Sequence, residues 1–132
     1  MKKNFLLLAI LFLYVQTNTT AQECLPEGIK FITQGQIDSF PINHPGCFGI
    51  KGDVVIEERI SGTIHNLDGL SQISSIGGNL KIWKNEALIS LRGLDNISSI
   101  PNSLYIQTNS SLLSLEGLEK LESIKGAFLS SR

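Results

Sequence analysis

The feature that most limits what this chain can fold into is a repeat of fixed length. Leu67-Asp68-Gly69-Leu70 recurs as Leu91-Arg92-Gly93-Leu94 and as Leu115-Glu116-Gly117-Leu118, 24 residues apart both times. Ile73, Ile97 and Leu121 keep the same spacing, as do Ile76, Ile100 and Ile124, and Leu80, Leu104 and Phe128. Ile82 matches Ile106, Asn85 matches Asn109, and Leu88 matches Leu112. A period of this size is the signature of stacked units, each burying its apolar side against its neighbours rather than around one centre.

The pattern inside each unit is that of short strands. Leu80 and Ile82 alternate with polar or amphipathic residues, as do Leu104 and Ile106, which is the period of a half-buried strand. Elsewhere apolar residues fall every third position (Leu67, Leu70, Ile73, Ile76), and Gly69 and Gly77-Gly78 interrupt any long helix. The expected class is therefore mainly β: a parallel β-solenoid with 24-residue rungs, equivalent side chains lying about 4.8 Å apart. Asn85 and Asn109 fall where a strand ends, and a buried Asn there can satisfy backbone groups of its own turn and of the next rung. They are expected to form a structural ladder. Gly69, Gly93 and Gly117 are expected at turns with unusual backbone angles. An earlier, irregular unit is visible, because Gly52-Asp53-Val54-Val55-Ile56 resembles Gly78-Asn79-Leu80-Lys81-Ile82 at an offset of 26. Ile64 returns to the 24-residue offset with Leu88, which puts two extra residues between Glu57 and Thr63, in a loop bulge.

The N-terminus reads as a secretory leader over 1–21. Lys2 and Lys3 precede an unbroken apolar run, Phe5 to Val15, and Thr19 and Ala21 are the small residues a signal peptidase requires. The run is too short for a spanning helix, which needs about 20 apolar residues, and no second run follows. No stable membrane insertion is expected after cleavage. Removing Lys2 and Lys3 from the 11 basic residues leaves 9 against 12 acidic ones, a net charge of −3. That balance argues against a nucleic-acid partner. The remaining cysteines, Cys24 and Cys47, are expected to pair in an oxidising compartment, stabilising the fold by about 3 kcal/mol through loop closure. Residues 22–48 would then form an N-terminal cap. Thr33-Gln34-Gly35-Gln36 fits a capping box, and a short helix over about 34–40 would carry Ile37 and Phe40 onto the first rung, with Pro41 and Pro45 at its exit. At the other end the third repeat stops within an expected strand, Phe128 onward, without a polar cap. Two explanations stay open: the repeats at 49–132 are truncated, which is the preferred expectation, or the uncapped end meets a partner, including a second copy of the chain.

The pattern from Cys24 to Phe128 resembles the receptor L-domain family, and within it the exported bacterial members. The residues carrying the resemblance are Ile50-Lys51-Gly52-Asp53-Val54-Val55-Ile56, Leu67-Asp68-Gly69-Leu70, and Ile73-Ser74-Ser75-Ile76-Gly77-Gly78-Asn79-Leu80-Lys81-Ile82. The copies at 91–106 and 115–128 carry it too, as does the lead-in from Cys24-Leu25-Pro26-Glu27-Gly28-Ile29 to Pro45-Gly46-Cys47. The resemblance implies a right-handed, LRR-like solenoid and a non-catalytic binding or adhesion module at the cell surface or secreted. Bacterial relatives often end in a sorting domain, which the expected truncation would have removed from the chain.

Residues alternating with the inward aliphatics would face outward. Lys81 and Trp83 flank Ile82, and Tyr105 and Gln107 flank Ile106, so Lys81 is expected beside Tyr105 and Trp83 beside Gln107. Exposed aromatics on a rigid sheet suit sugar rings or partner side chains, and these four are the candidate ligand surface for a protein or glycan. Ordinary cross-strand packing of a sheet surface is the preferred explanation from the sequence alone. Catalysis is not expected. His44 and His65 sit in no nucleophile motif, and Glu57-Glu58, the one adjacent acidic pair, would point to opposite sides of a strand. His44 near Cys47 is too sparse a set for a metal, and no cofactor is implied. Asn96-Ile97-Ser98 and Asn109-Ser110-Ser111 are glycosylation sequons, expected to carry no meaning if the source is bacterial, as the short Lys-Lys leader suggests.

Overall fold

The structure, a computed structural model, describes residues 22–131; the expected leader over 1–21 lies outside them. The architecture is mainly β. Among the described residues ten short strands form a three-stranded, a five-stranded and a two-stranded sheet, and every pairing is parallel. The first sheet contains β1 (Glu23–Cys24), β3 (Gly49–Ile50) and β5 (Ser75–Ile76). The five-stranded sheet contains β2 (Ile29–Phe31), β4 (Val54–Ile56), β6 (Leu80–Trp83), β8 (Leu104–Gln107) and β10 (Phe128–Ser131). The pair β7 (Ser99–Ile100) and β9 (Ser123–Ile124) completes the set. Parallel neighbours require a long return connection. Here turns and one 3-10 segment, Asp68–Leu70, provide it.

Strand register follows the spacing in the sequence. Leu80 pairs with Leu104 and Leu104 with Phe128, both 24 residues apart, whereas Val54 pairs with Leu80 at 26. The inward residues of the middle strands, Val54, Ile56, Leu80, Ile82, Leu104 and Ile106, are buried, and Leu67, Leu70, Ile73 and Leu91 close the core from the turns opposite. Burial ends at the last repeat. Leu113, Leu115, Phe128 and Leu129 are exposed, and β10 is an edge strand.

The N-terminal segment does more than the sequence suggests. Besides capping, it supplies β1 and β2, the first strands of two sheets. The expected helix over 34–40 is instead two short helices, Gln34–Asp38 and Phe40–Asn43, with Ser39 between them. Pro41 lies in the first turn of the second helix, not at an exit, because its missing N–H costs nothing there. The capping box forms: Gln36 N donates to Thr33 Oγ1 at 3.2 Å, while Gln36 Oε1 reaches one residue further back than expected, accepting from Ile32 N at 2.8 Å. Ile37 and Phe40 are buried, and the Phe40 ring meets Phe31 edge-on at 5.6 Å. Cys24 and Cys47 form a disulfide with their Cα atoms 5.6 Å apart, tying β1 to the end of the cap.

The expectation for the glycines needs one correction. Gly93 and Gly117 have φ of 109° and 112°, where an L side chain is strained. Gly69 does not adopt a positive φ. A side chain there would collide with the backbone of Ile37 and Asp38, so Gly69 is required for the cap helix to approach.

Two columns of polar side chains bind successive rows together. Asn85 is fully buried: its Nδ2 donates to Ile56 O at 3.0 Å and its Oδ1 accepts from Glu58 N at 3.0 Å. One row on, Asn109 Nδ2 donates to Ile82 O at 2.9 Å, and Asn109 Oδ1 accepts from both N and Nδ2 of Asn85 at 3.0 Å. The second column precedes the strands. Asp53 Oδ1 accepts from Asn79 N, Asn79 Oδ1 from Ser103 N, and Ser103 Oγ from Ala127 N. A buried group that loses its partner costs about 1–3 kcal/mol. Asn85→Ala strands both Ile56 O and Glu58 N and is expected to lower stability in urea unfolding by about 2–4 kcal/mol. The same change at exposed Asn102 is expected to alter it by less than about 0.5 kcal/mol. Equal unfolding midpoints for the two variants would remove the ladder from the account.

Candidate functional site

The outward side of the five-stranded sheet is built by strand alternation. In β6, Leu80 and Ile82 are buried, so Lys81 and Trp83 face away from the core, half-exposed; in β8 the same holds for Tyr105 and Gln107. Lys81 is in register with Tyr105, and Trp83 with Gln107. The pairing extends across the sheet, with Lys30 beside Val55, Val55 beside Lys81, and Tyr105 beside Leu129. The four outward residues singled out from the sequence thus occupy one side of two neighbouring strands.

Trp83 is not a bare aromatic platform. Lys81 Nζ and Lys84 Nζ each lie over the indole, 4.1 Å from a ring centroid. Contacts of this kind contribute about 0.5–1 kcal/mol at exposed sites. The sequence pattern passes over Lys84 because it lies one residue beyond the strand. Its backbone has φ of 54°, in the left-handed region, and the chain turns there; Thr108, one repeat later, has φ of 57°. The signal available was a lysine directly after an outward Trp.

One carboxylate joins this group. Glu57 follows β4 and pairs with Lys30 at 2.7 Å. Its carboxyl is held below the usual range first by the hydrogen bond from Lys30, against a burial effect that raises it, and further by the charges of Lys30, Lys81 and Lys84. Its neighbour Glu58 has a different task. Glu58 Oε1 accepts from Gly62 N at 2.7 Å and Glu86 N at 2.9 Å, and Oε2 from Thr63 N at 2.9 Å and Ile64 N at 3.0 Å. This carboxylate therefore folds the expected two-residue bulge around itself and fastens it to the next repeat. The two acids serve separate environments.

The other residues considered from the sequence have structural contacts. His44 packs on the Phe40 ring, 5.0 Å between centroids, and His65 Nδ1 lies 3.2 Å from Thr63 O. Among the described residues no group of three or more His, Cys, Asp or Glu side chains is placed to hold a metal ion, and no helix is long and apolar enough to cross a membrane. Asn96 is exposed, with Nδ2 donating to Ser71 O, whereas Asn109 is buried in the ladder. At the last repeat an open cavity of about 410 Å³ is lined by Leu104, Leu118, Leu121, Ile124 and Phe128 among others.

No protein-family model matches the chain, and no curated protein or solved structure matches it.

The setting of Glu58 gives a pH dependence. Burial acts to raise its pKa, but the backbone N–H groups of Glu86, Ile64, Gly62 and Thr63 outweigh it, and the net shift is downward. A carboxyl lowered by folding contributes stability that is present above its unfolded pKa of about 4.3 and is lost as pH falls through the folded value. Glu58→Gln is expected to cost about 1–2 kcal/mol near neutral pH, with the gap to the parent chain closing in acid. Chemical denaturation across pH measures this, and a gap that stays constant down to the lowest pH would contradict it.

Proposed function

We propose that this chain is an exported, non-catalytic binding or adhesion module of the receptor L-domain type. In this reading it is a right-handed, LRR-like parallel β-solenoid with 24-residue rungs, which recognises a protein or glycan through the outward side of its large sheet. The observation that carries the reading is the Lys81, Trp83, Lys84, Tyr105 and Gln107 group, set on strands whose inward residues are fully locked in the core. A rigid surface loses little conformational freedom on binding. The resemblance of the repeats to bacterial L-domain proteins supports a cell-surface or secreted location, and the Cys24–Cys47 disulfide fits an oxidising compartment.

A second reading is favoured by the last repeat. The exposed Leu113, Leu115, Phe128 and Leu129 suit a structural segment that stacks against further repeats or a second copy, with no ligand of its own.

An array of glycans and surface proteins separates the two. The binding reading expects specific retention that Trp83→Ala abolishes while the circular dichroism spectrum and a cooperative melting transition are retained. Retention of nothing, or retention unaffected by Trp83→Ala, favours the spacer.

A further inference from the structure

Charge is not spread evenly over this molecule. Residues 22–132 carry 9 basic and 12 acidic groups. Lys30, Lys81 and Lys84 surround Glu57 on one side of the large sheet, a local charge of +2, which leaves −5 for the rest. Among the described residues the ion pairs are Lys30–Glu57 and Arg92–Glu116, and neither takes Lys81 or Lys84. Both ammoniums rest instead on Trp83, a partner that attracts the cation without neutralising it. Lys84 reaches this position from a left-handed backbone conformation that recurs one repeat later at Thr108, so the turn that ends the strand sets where the lysine stands.

The surface also restricts what can bind. β4, β6 and β8 each pair on both sides, so the part of the sheet that carries Lys81, Trp83, Tyr105 and Gln107 offers no free backbone edge to which a peptide could add as a strand; the free edges are β10 and β2, which carries Lys30. The surface offers ammonium donors, a side-chain amide at Gln107, the Tyr105 hydroxyl and an aromatic edge, arranged on a flat base. Lys30 and Lys81 stand two strands apart, roughly 9.6 Å at the spacing of a parallel sheet. A chain of repeated rings with acid groups at regular intervals and hydroxyls between them matches that arrangement.

We propose that Lys81, Trp83 and Lys84, extended by Lys30, Tyr105 and Gln107, form a recognition surface for an acidic polysaccharide whose carboxylates bind the lysine ammoniums. This rests on the binding-module reading and names its ligand class. Sugar rings would lie against Tyr105 and the edge of Trp83, since both lysine ammoniums lie over the indole.

Titration calorimetry of the disulfide-bonded chain with polygalacturonate oligomers at low salt tests the assignment, with dextran and poly-glutamate as controls. Binding to polygalacturonate alone, weakened by added salt and about tenfold by the double change Lys81→Gln and Lys84→Gln, is the expected result. Lys84→Gly separates binding from folding: it relieves the left-handed strain, so the variant should melt no lower than the parent yet bind about threefold more weakly. No binding to polygalacturonate, equal or tighter binding of dextran or poly-glutamate, or lysine variants that bind like the parent would each overturn the proposal. Should an array instead return a neutral glycan or a protein whose binding survives the lysine changes, this ligand class falls and the binding module stands; an array that returns nothing removes both.

Discussion

Asn109 accepts the backbone N–H of Asn85, and Asn85 in turn holds the carbonyl that ends β4 and the N–H of Glu58. These contacts meet the main difficulty of piling short strands on one another. The chain turns after β6 and β8 with its outer residues exposed and Asn85 and Asn109 buried, and the backbone groups on the inner side of each turn need partners there. A side chain that both donates and accepts can serve its own row and the row before it, provided that every row places it at the same point. The requirement fixes the repeat length as firmly as the aliphatic core does. Asp53, Asn79 and Ser103 link the rows at the other end of the strands by accepting from the next row's backbone N–H, where exposure is greater and the side chain can vary.

Where the period breaks, a separate device takes over. The pairing of β4 with β6 is offset by 26 residues, and the surplus is gathered around the Glu58 carboxylate. Four backbone donors stabilise the ionised form enough to outweigh its burial. The bulge therefore has its own polar centre and leaves the core columns undisturbed, with Ile64 buried on their far side.

Much of this was legible in the sequence, for reasons that differ by residue. Leu80, Ile82, Leu104 and Ile106 were readable because alternation and period agreed. Their pairing in register followed from the same two numbers. Asn85 and Asn109 stood out because Asn is seldom placed at an apolar position without a partner. The strands β1 and β2 were not legible: Glu23–Cys24 and Ile29–Phe31 are too short to show alternation and fall outside the exact repeat. Ser39 accepts the break between the cap helices, a detail no periodicity over so few residues can resolve. Of the candidate site, the outward position of Trp83 came from strand alternation, whereas the lysines over its ring did not. Lys84 depends on a backbone reversal at a residue type that rarely adopts it.

The central claim is that residues 24 apart are neighbours across parallel strands, with their apolar side chains turned to a shared core. Nuclear Overhauser contacts between backbone protons test it most directly. The account predicts cross-strand contacts linking Lys81 with Tyr105 and Ile82 with Ile106, and then Tyr105 with Leu129. Absence of those contacts, with sequential helical contacts through 80–83 and 104–107 in their place, would contradict it.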